Sequence, residues 1–256
     1  MQIIVRHTCN LNLNDKSIQR KIGIGIIQDF NPNAWMESIG NLHAEEQHQL
    51  NQKITNDAKN SFYLARMAAK MAITNLTGLE ANNTWIDHGV FGYPVLENDS
   101  LGLGISLAHT VSSGFAACYD HRDKIGVDIE LVNETKNTVI ETALTKREIE
   151  LVNTKGNNRT VYLHLIWAAR EALSKALQTG FLIPLELLEV DAVIKNDGYY
   201  EFTFKHFSLF KSKAFEFNKS ICTIAYPERC LLNIEPILTL LKRNKSEYSQ
   251  NKVKEI

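Results

Sequence analysis

Apolar residues recur at helical spacing from Val161 onward. Leu163, Ile166, Trp167, Leu173 and Leu177 mark one face, which predicts a helix over residues 160–178 that stops before Gly180. A second helical pattern runs from Leu42 to Leu76, and its part from Ser61 to Ile73 is dense in good helix formers. Strand-like runs lie at Ile22 to Ile27, Gly104 to Thr110, Phe115 to Tyr119 and Lys124 to Glu130. Four more follow the late helix: Leu187 to Ile194, Tyr199 to Phe204, Lys213 to Phe217 and Ser220 to Tyr226. Asn31-Pro32-Asn33 and Gly92-Tyr93-Pro94 read as turns, and Asn196-Asp197-Gly198 as a hairpin. Asp123-Lys124 is expected to close a further hairpin between its flanking strands. Residues 1–40 are otherwise hard to read, and no internal repeat is legible. The end of the chain is basic and polar and reads as a frayed tail.

Charged residues stand out against this pattern. Glu171 and Lys175 are four apart on the late helix, so they share a face, either as a simple helix pair or as part of a site. On the strand from Lys124, Ile125, Val127 and Ile129 face one way. Asp128 and Glu130 face the other way together. Two adjacent carboxylates repel unless they are exposed or bridged by a cation, and a hard metal such as Mg²⁺ suits them. Thr145 and Glu148 fit a capping box, which gives Glu148 a structural reading beside any chemical one. Arg66 and Lys70 form either a solvated face or a pair of cations for a phosphate. His109 ends a strand, a place for a structural or a functional histidine.

Composition narrows the class. The chain has 256 residues, 44% apolar and 22% charged, an ordinary globular balance, and its length admits one large domain or two small ones. The formal net charge of −1 provides no global field for nucleic acid or an anionic membrane. Cys9, Cys118, Cys222 and Cys230 form no CxxC pair and read as reduced thiols. His43 and His48, about 140° apart on a helix, make a poor zinc clamp. Met1 to Arg6 lack a signal-peptide core, and no run approaches a membrane span of about 20 apolar residues. The expectation is a cytoplasmic protein without membrane or nucleic-acid partners.

Two segments together are more specific than either alone. Gly126-Val127-Asp128-Ile129-Glu130 and, after a gap, Trp167-Ala168-Ala169-Arg170-Glu171-Ala172-Leu173-Ser174-Lys175 resemble the paired signature of the 4′-phosphopantetheinyl transferases. Ser106 to Thr110 is similar to the family's upstream segment ending in Ser-His-Ser/Thr. Gly92-Tyr93-Pro94 stands where Gly-Lys-Pro or Gly-Arg-Pro is usual, and Phe181 to Leu185 resembles the continuation after the helix. The resemblance covers roughly residues 60–230, and the length suits the larger, pseudodimeric kind.

The resemblance implies an α+β fold of two similar lobes, each a short antiparallel sheet packed on a long helix, with the active site in the cleft between them. On that reading residues 1–122 are the N-terminal lobe, 123–235 the C-terminal lobe with the metal motifs, and 236–256 a C-terminal tail. It implies Mg²⁺-dependent transfer of the 4′-phosphopantetheine arm of coenzyme A to a serine of an apo acyl or peptidyl carrier protein, by a monomer. Adenosine 3′,5′-bisphosphate would leave. Asp128, Glu130 and Glu171 would hold the metal. Glu171, Glu148 and Lys175 would be catalytic, with either glutamate as base, and His109, Lys175, Arg66 and Arg170 would meet the coenzyme. Tyr93 in place of a cation, Arg170 in place of lysine and Ala108 in place of serine depart from the pattern. They leave open a module that binds coenzyme A or a carrier protein without turnover. An unrelated Mg²⁺-dependent nucleotide-binding protein is a further alternative.

Overall fold

The computed structural model describes residues 4–15, 18–29, 31–155, 158–180 and 182–242. β1 (Ile4–Asp15) and β2 (Ile18–Asp29) pair antiparallel along their length. In β1, Leu11 and Leu13 are buried and alternate with Asn10, Asn12 and Asn14, a period of two within the stretch that is hard to read from sequence. The helices α1 (Ala34–Ser38), α2 (Ala44–Asn51) and α3 (Asn56–Thr77) follow. The single helical pattern from Leu42 to Leu76 is thus divided. Thr55 caps α3 by accepting the Ala58 N–H at 3.1 Å. β3 (Trp85–His88) and β4 (Pro94–Glu97) form one hairpin, and β5 (Leu103–His109) and β6 (Ser113–Asp120) another.

β7 (Gly126–Leu131) opens the second half. After it come α4 (Asn137–Ala143), α5 (Lys146–Asn153) and α6 (Arg159–Ala176). The antiparallel strands β8 (Val190–Lys195), β9 (Tyr200–Phe204), β10 (Phe210–Phe217) and β11 (Ser220–Pro227) complete it. The expected hairpin at Asp123-Lys124 does not form. β6 pairs with β2 and β5, whereas β7 pairs with β11 in the other sheet. Buried Asp123 turns back onto Arg20 of β2, 2.9 Å away, and the chain crosses from one sheet to the facing one. Both strands are apolar enough to be buried, so neither needs the other as its neighbour.

The fold is α+β with two antiparallel sheets packed face to face. Ile22, Ile24, Ile26 and Phe115 from one side meet Val127, Ile129, Phe215 and Ile224 from the other. Phe115 and Phe215 touch edge to face at 6.2 Å. α3 covers the outer face of the first sheet through Leu64, Ala68 and Ala72, and α6 covers the second through Leu163, Ile166 and Leu173. β12 (Leu231–Asn233) then reaches back to pair with β1, so residues beyond β11 belong to the first sheet. Residues 235–242 are helical and bury Ile237, Leu238 and Leu241 in the core between the sheets. Of the tail expected over residues 236–256, residues 236–242 belong instead to this helix, and the rest lies outside the described residues. Among the described residues, no helix is long and apolar enough to cross a membrane.

The halves repeat each other. The second sheet runs β7-β11-β10-β9-β8, and the first contains β2-β6-β5 with β4 lying beside β5 and paired to β3. Register confirms the match. A Cβ on Gly25 would strike Ala68 O and Ala72 N, and one on Gly126 would strike Ala172 O and Ala176 N. Both glycines let a helix lie directly on a strand. The repeat therefore equates Arg66 with Arg170, Met67 with Glu171, Met71 with Lys175, and Ile27 with Asp128.

Candidate functional site

Because Gly126 lets α6 approach β7, the polar face of the strand looks straight at the helix. Val127 and Ile129 enter the core between the sheets, so Asp128 and Glu130 face α6. Lys175 Nζ donates to Asp128 Oδ1 at 2.7 Å and stands 3.8 Å from Glu171 Oε2. Glu130 Oε2 accepts from Lys136 at 3.2 Å. Beside this cluster lies a cavity of about 270 Å³. Arg66, Tyr93, Ser106, Glu171, Lys175 and Gln178 are among its walls, so both halves contribute. Ser106 also ties them together, its Oγ accepting the Val127 N–H at 3.0 Å.

The carboxylates disturb one another. Burial, then repulsion from Asp128, raises the Glu171 pKa from 4.5 to about 8, with Lys175 opposing. Burial and Asp128 also raise Glu130. For Lys175, burial alone would lower the pKa, but Asp128, Glu171 and Glu130 together outweigh it and the net shift is upward. His109, exposed at the end of β5, is lowered by desolvation and then by Lys175 and Arg66, with Asp128 pulling the other way. It is therefore a neutral hydrogen-bonding ring at pH 7, not a cation.

The raised Glu171 pKa has a testable consequence. The folded protein keeps this proton longer than the unfolded chain does. The resulting stability is full below about pH 4.5 and lost as pH rises through about 8. Melting temperature measured in chelator should fall across that window more steeply for the parent than for Glu171→Gln. Equal slopes would mean that Glu171 does not titrate there.

Glu148 and Arg170 stand apart from this group. Both are fully buried. Glu148 closes a capping box with Thr145, accepts the Val190 N–H at 2.9 Å, and pairs with Arg170 Nη1 at 2.9 Å. Arg170 also donates to Ala143 O and Leu185 O. Its charge is thus met by partners inside the protein. Arg66 is its twin. Glu46 closes a capping box with His43, accepts the Ile86 N–H at 3.2 Å, and lies 3.7 Å from Arg66 and 3.0 Å from Lys70. Arg66 differs in that it lines the cavity, packed at 4.4 Å over the Phe62 ring. At the equivalent place in the first half, Ile27, Met67 and Met71 stand for Asp128, Glu171 and Lys175, and Asp29 alone, in place of Glu130, keeps an acid, so among the described residues the full cluster occurs once.

Does the cluster suit a hard cation? Among the described residues, no three His, Cys, Asp or Glu side chains already stand in a metal-ligating group. Lys175 sits among the acids instead. The donor set nevertheless fits. It is oxygen only, its members repel one another, and Asp128 Oδ2 is buried with no hydrogen-bond partner.

Fold and site together define an α+β protein of two facing antiparallel sheets with an acidic, lysine-bearing cluster beside a cavity. Residues 124–225 match the family model of the 4′-phosphopantetheinyl transferase superfamily. The matched segment holds Asp128, Glu130, Glu171 and Lys175. A search among curated proteins finds no significant match.

Proposed function

We propose that the protein transfers the 4′-phosphopantetheine arm of coenzyme A to a serine of an apo acyl or peptidyl carrier protein, in a Mg²⁺-dependent reaction. The observation that carries this reading is the convergence of Asp128, Glu130, Glu171 and Lys175 beside a cavity, within the segment that matches the superfamily. The serine oxygen bonds to the phosphorus that bears the pantetheine arm, and the bridging P–O bond of the diphosphate breaks. Adenosine 3′,5′-bisphosphate leaves with that bridging oxygen. The serine proton passes to a base.

Asp128, Glu130 and Glu171 would hold the metal. When bound, Mg²⁺ supplies charge neutralisation at the diphosphate. Lys175 moves from carboxylate to phosphate contact as a compact point charge, and neutral His109 donates a hydrogen bond. Glu171 faces the cavity and takes the serine proton, directly or through water. Glu148, whose oxygens are occupied, is left out of that step. We also read the active species as a cytoplasmic monomer, because one chain supplies both walls of the cavity and its cysteines are free.

Incubation with coenzyme A, Mg²⁺ and a panel of apo carrier proteins tests this by intact mass. The expected result is a gain of one phosphopantetheine on one or more carriers. Coenzyme binding with no gain on any carrier would identify a non-transferring module instead. Tyr93 at the cavity wall, where the resemblance leads one to expect a cation, is the observation that favours that second reading.

A further inference from the structure

We infer that His164 and Lys136 are positioning residues that together claim one oxygen of Glu130, leaving its other oxygen as the single ligand atom for the metal. The inference rests on Glu130 being a metal ligand, as proposed above. His164 lies on α6 two turns before Glu171 and is fully buried. Its Nδ1 has no hydrogen-bond partner and lies 4.0 Å from Glu130 Oε2. Lys136 Nζ donates to that same Oε2 at 3.2 Å. Two independent groups, one on α6 and one on the turn after β7, thus address one oxygen.

The ring proton decides the sign of the histidine contact. His164 Nε2 lies 3.2 Å from the Asn133 N–H and 3.1 Å from the Asn133 carbonyl, so that side accommodates either tautomer. On the other side there is no such freedom. With the proton on Nε2, Nδ1 would present a buried lone pair to a carboxylate. With it on Nδ1, an N–H dipole faces the carboxylate, and Nε2 accepts from Asn133. The second arrangement also gives the Asn133 N–H its acceptor, and it is the one we adopt. At 4.0 Å it is an oriented dipole rather than a closed hydrogen bond.

One claimed oxygen has a consequence for coordination. Mg²⁺ takes few carboxylate oxygens and needs positions for water and phosphate. A Glu130 that chelated through both oxygens would use a position the diphosphate requires. Holding Oε2 aside makes Glu130 a one-oxygen ligand, and groups that orient metal ligands in this way typically govern affinity by 10–100-fold.

Mn²⁺ binding to the full chain, followed by electron paramagnetic resonance without coenzyme or carrier, tests this apart from activity. His164→Asn keeps an N–H donor near the Nδ1 position. His164→Gln places its amide near Nε2 and leaves Nδ1 empty. Expected are affinity within about 3-fold of the parent for His164→Asn and at least roughly 10-fold weaker for His164→Gln. Melting temperatures should be alike. Lys136 is exposed, so Lys136→Met folds whatever His164 does, and it too should weaken binding. Equal losses in both histidine variants, or parent affinity in His164→Gln, would overturn the inference. If His164→Gln does not fold, parent affinity in Lys136→Met overturns it. A parent that binds no Mn²⁺, or an Asp128→Asn variant that binds it as well as the parent does, would sink the metal reading itself.

Discussion

Glu171→Gln and Asp128→Asn are each expected to lose transfer by at least roughly 10²-fold in kcat/KM. A metal clamp contributes several kcal/mol of charge stabilisation in the transition state, and each 1.4 kcal/mol or so is tenfold in rate. Either substitution removes a charge but almost no volume. Folding should be intact, and Glu171→Gln should be as stable as the parent in chelator or more so, because it removes the burial cost and the repulsion that together push Glu171 up to about 8. The metal-dependent rise in melting temperature should shrink in both variants, since a ligand stabilises only in proportion to its binding. Steady-state rates with a Mg²⁺ titration of melting temperature check both halves. Parent-level transfer by Glu171→Gln would refute the proposed mechanism.

Glu148→Gln is expected to fail differently, through stability. The carboxylate is fully buried and satisfies three groups: the Thr145 N–H at 2.8 Å, the Val190 N–H at 2.9 Å and Arg170 at 2.9 Å. An amide at this place turns two donors toward groups that are themselves donors, and leaves the Arg170 charge buried without its counter-charge. Breaking a buried pair from one side costs about 3–5 kcal/mol. At about 2–4 °C per kcal/mol for a chain of this size, melting temperature should drop on the order of 10 °C. The kcat of whatever remains folded should stay within a few-fold of the parent's. A large loss of kcat at unchanged melting temperature would instead return Glu148 to the reaction as its base.

These contrasting expectations show where the letters were informative. Glu171 and Arg170 are neighbours in the sequence and about 100° apart on the helix. Helical period alone places Glu171 with Lys175 and turns Arg170 elsewhere. Nothing in the local letters says what waits on that other side. The answer is the capping glutamate of α5, 22 residues earlier, to which Arg170 is bonded. The letters leave Arg66 open between a solvated face and a cation for phosphate for the same reason. Its partner Glu46 is distant in sequence, and the two Glu–Arg braces are visible as a repeat only once the sheets are superposed in register. His164 carried no usable signal, because a histidine on an apolar helix face is ordinary until the carboxylate it faces is known.

What the sequence determined by itself was direction within each element. A period of two sets Asp128 and Glu130 on one face of β7, and a spacing of four sets Glu171 and Lys175 on one face of α6, because side-chain direction follows from backbone geometry a few residues long. What only the tertiary structure decided was which faces meet. β6 and β7 look like a hairpin in sequence, yet they lie in different sheets. α6 comes close enough for Lys175 to reach Asp128 because Gly126 has no side chain to hold it away from Ala172. Such meetings depend on packing between residues dozens of positions apart, and no local pattern encodes them.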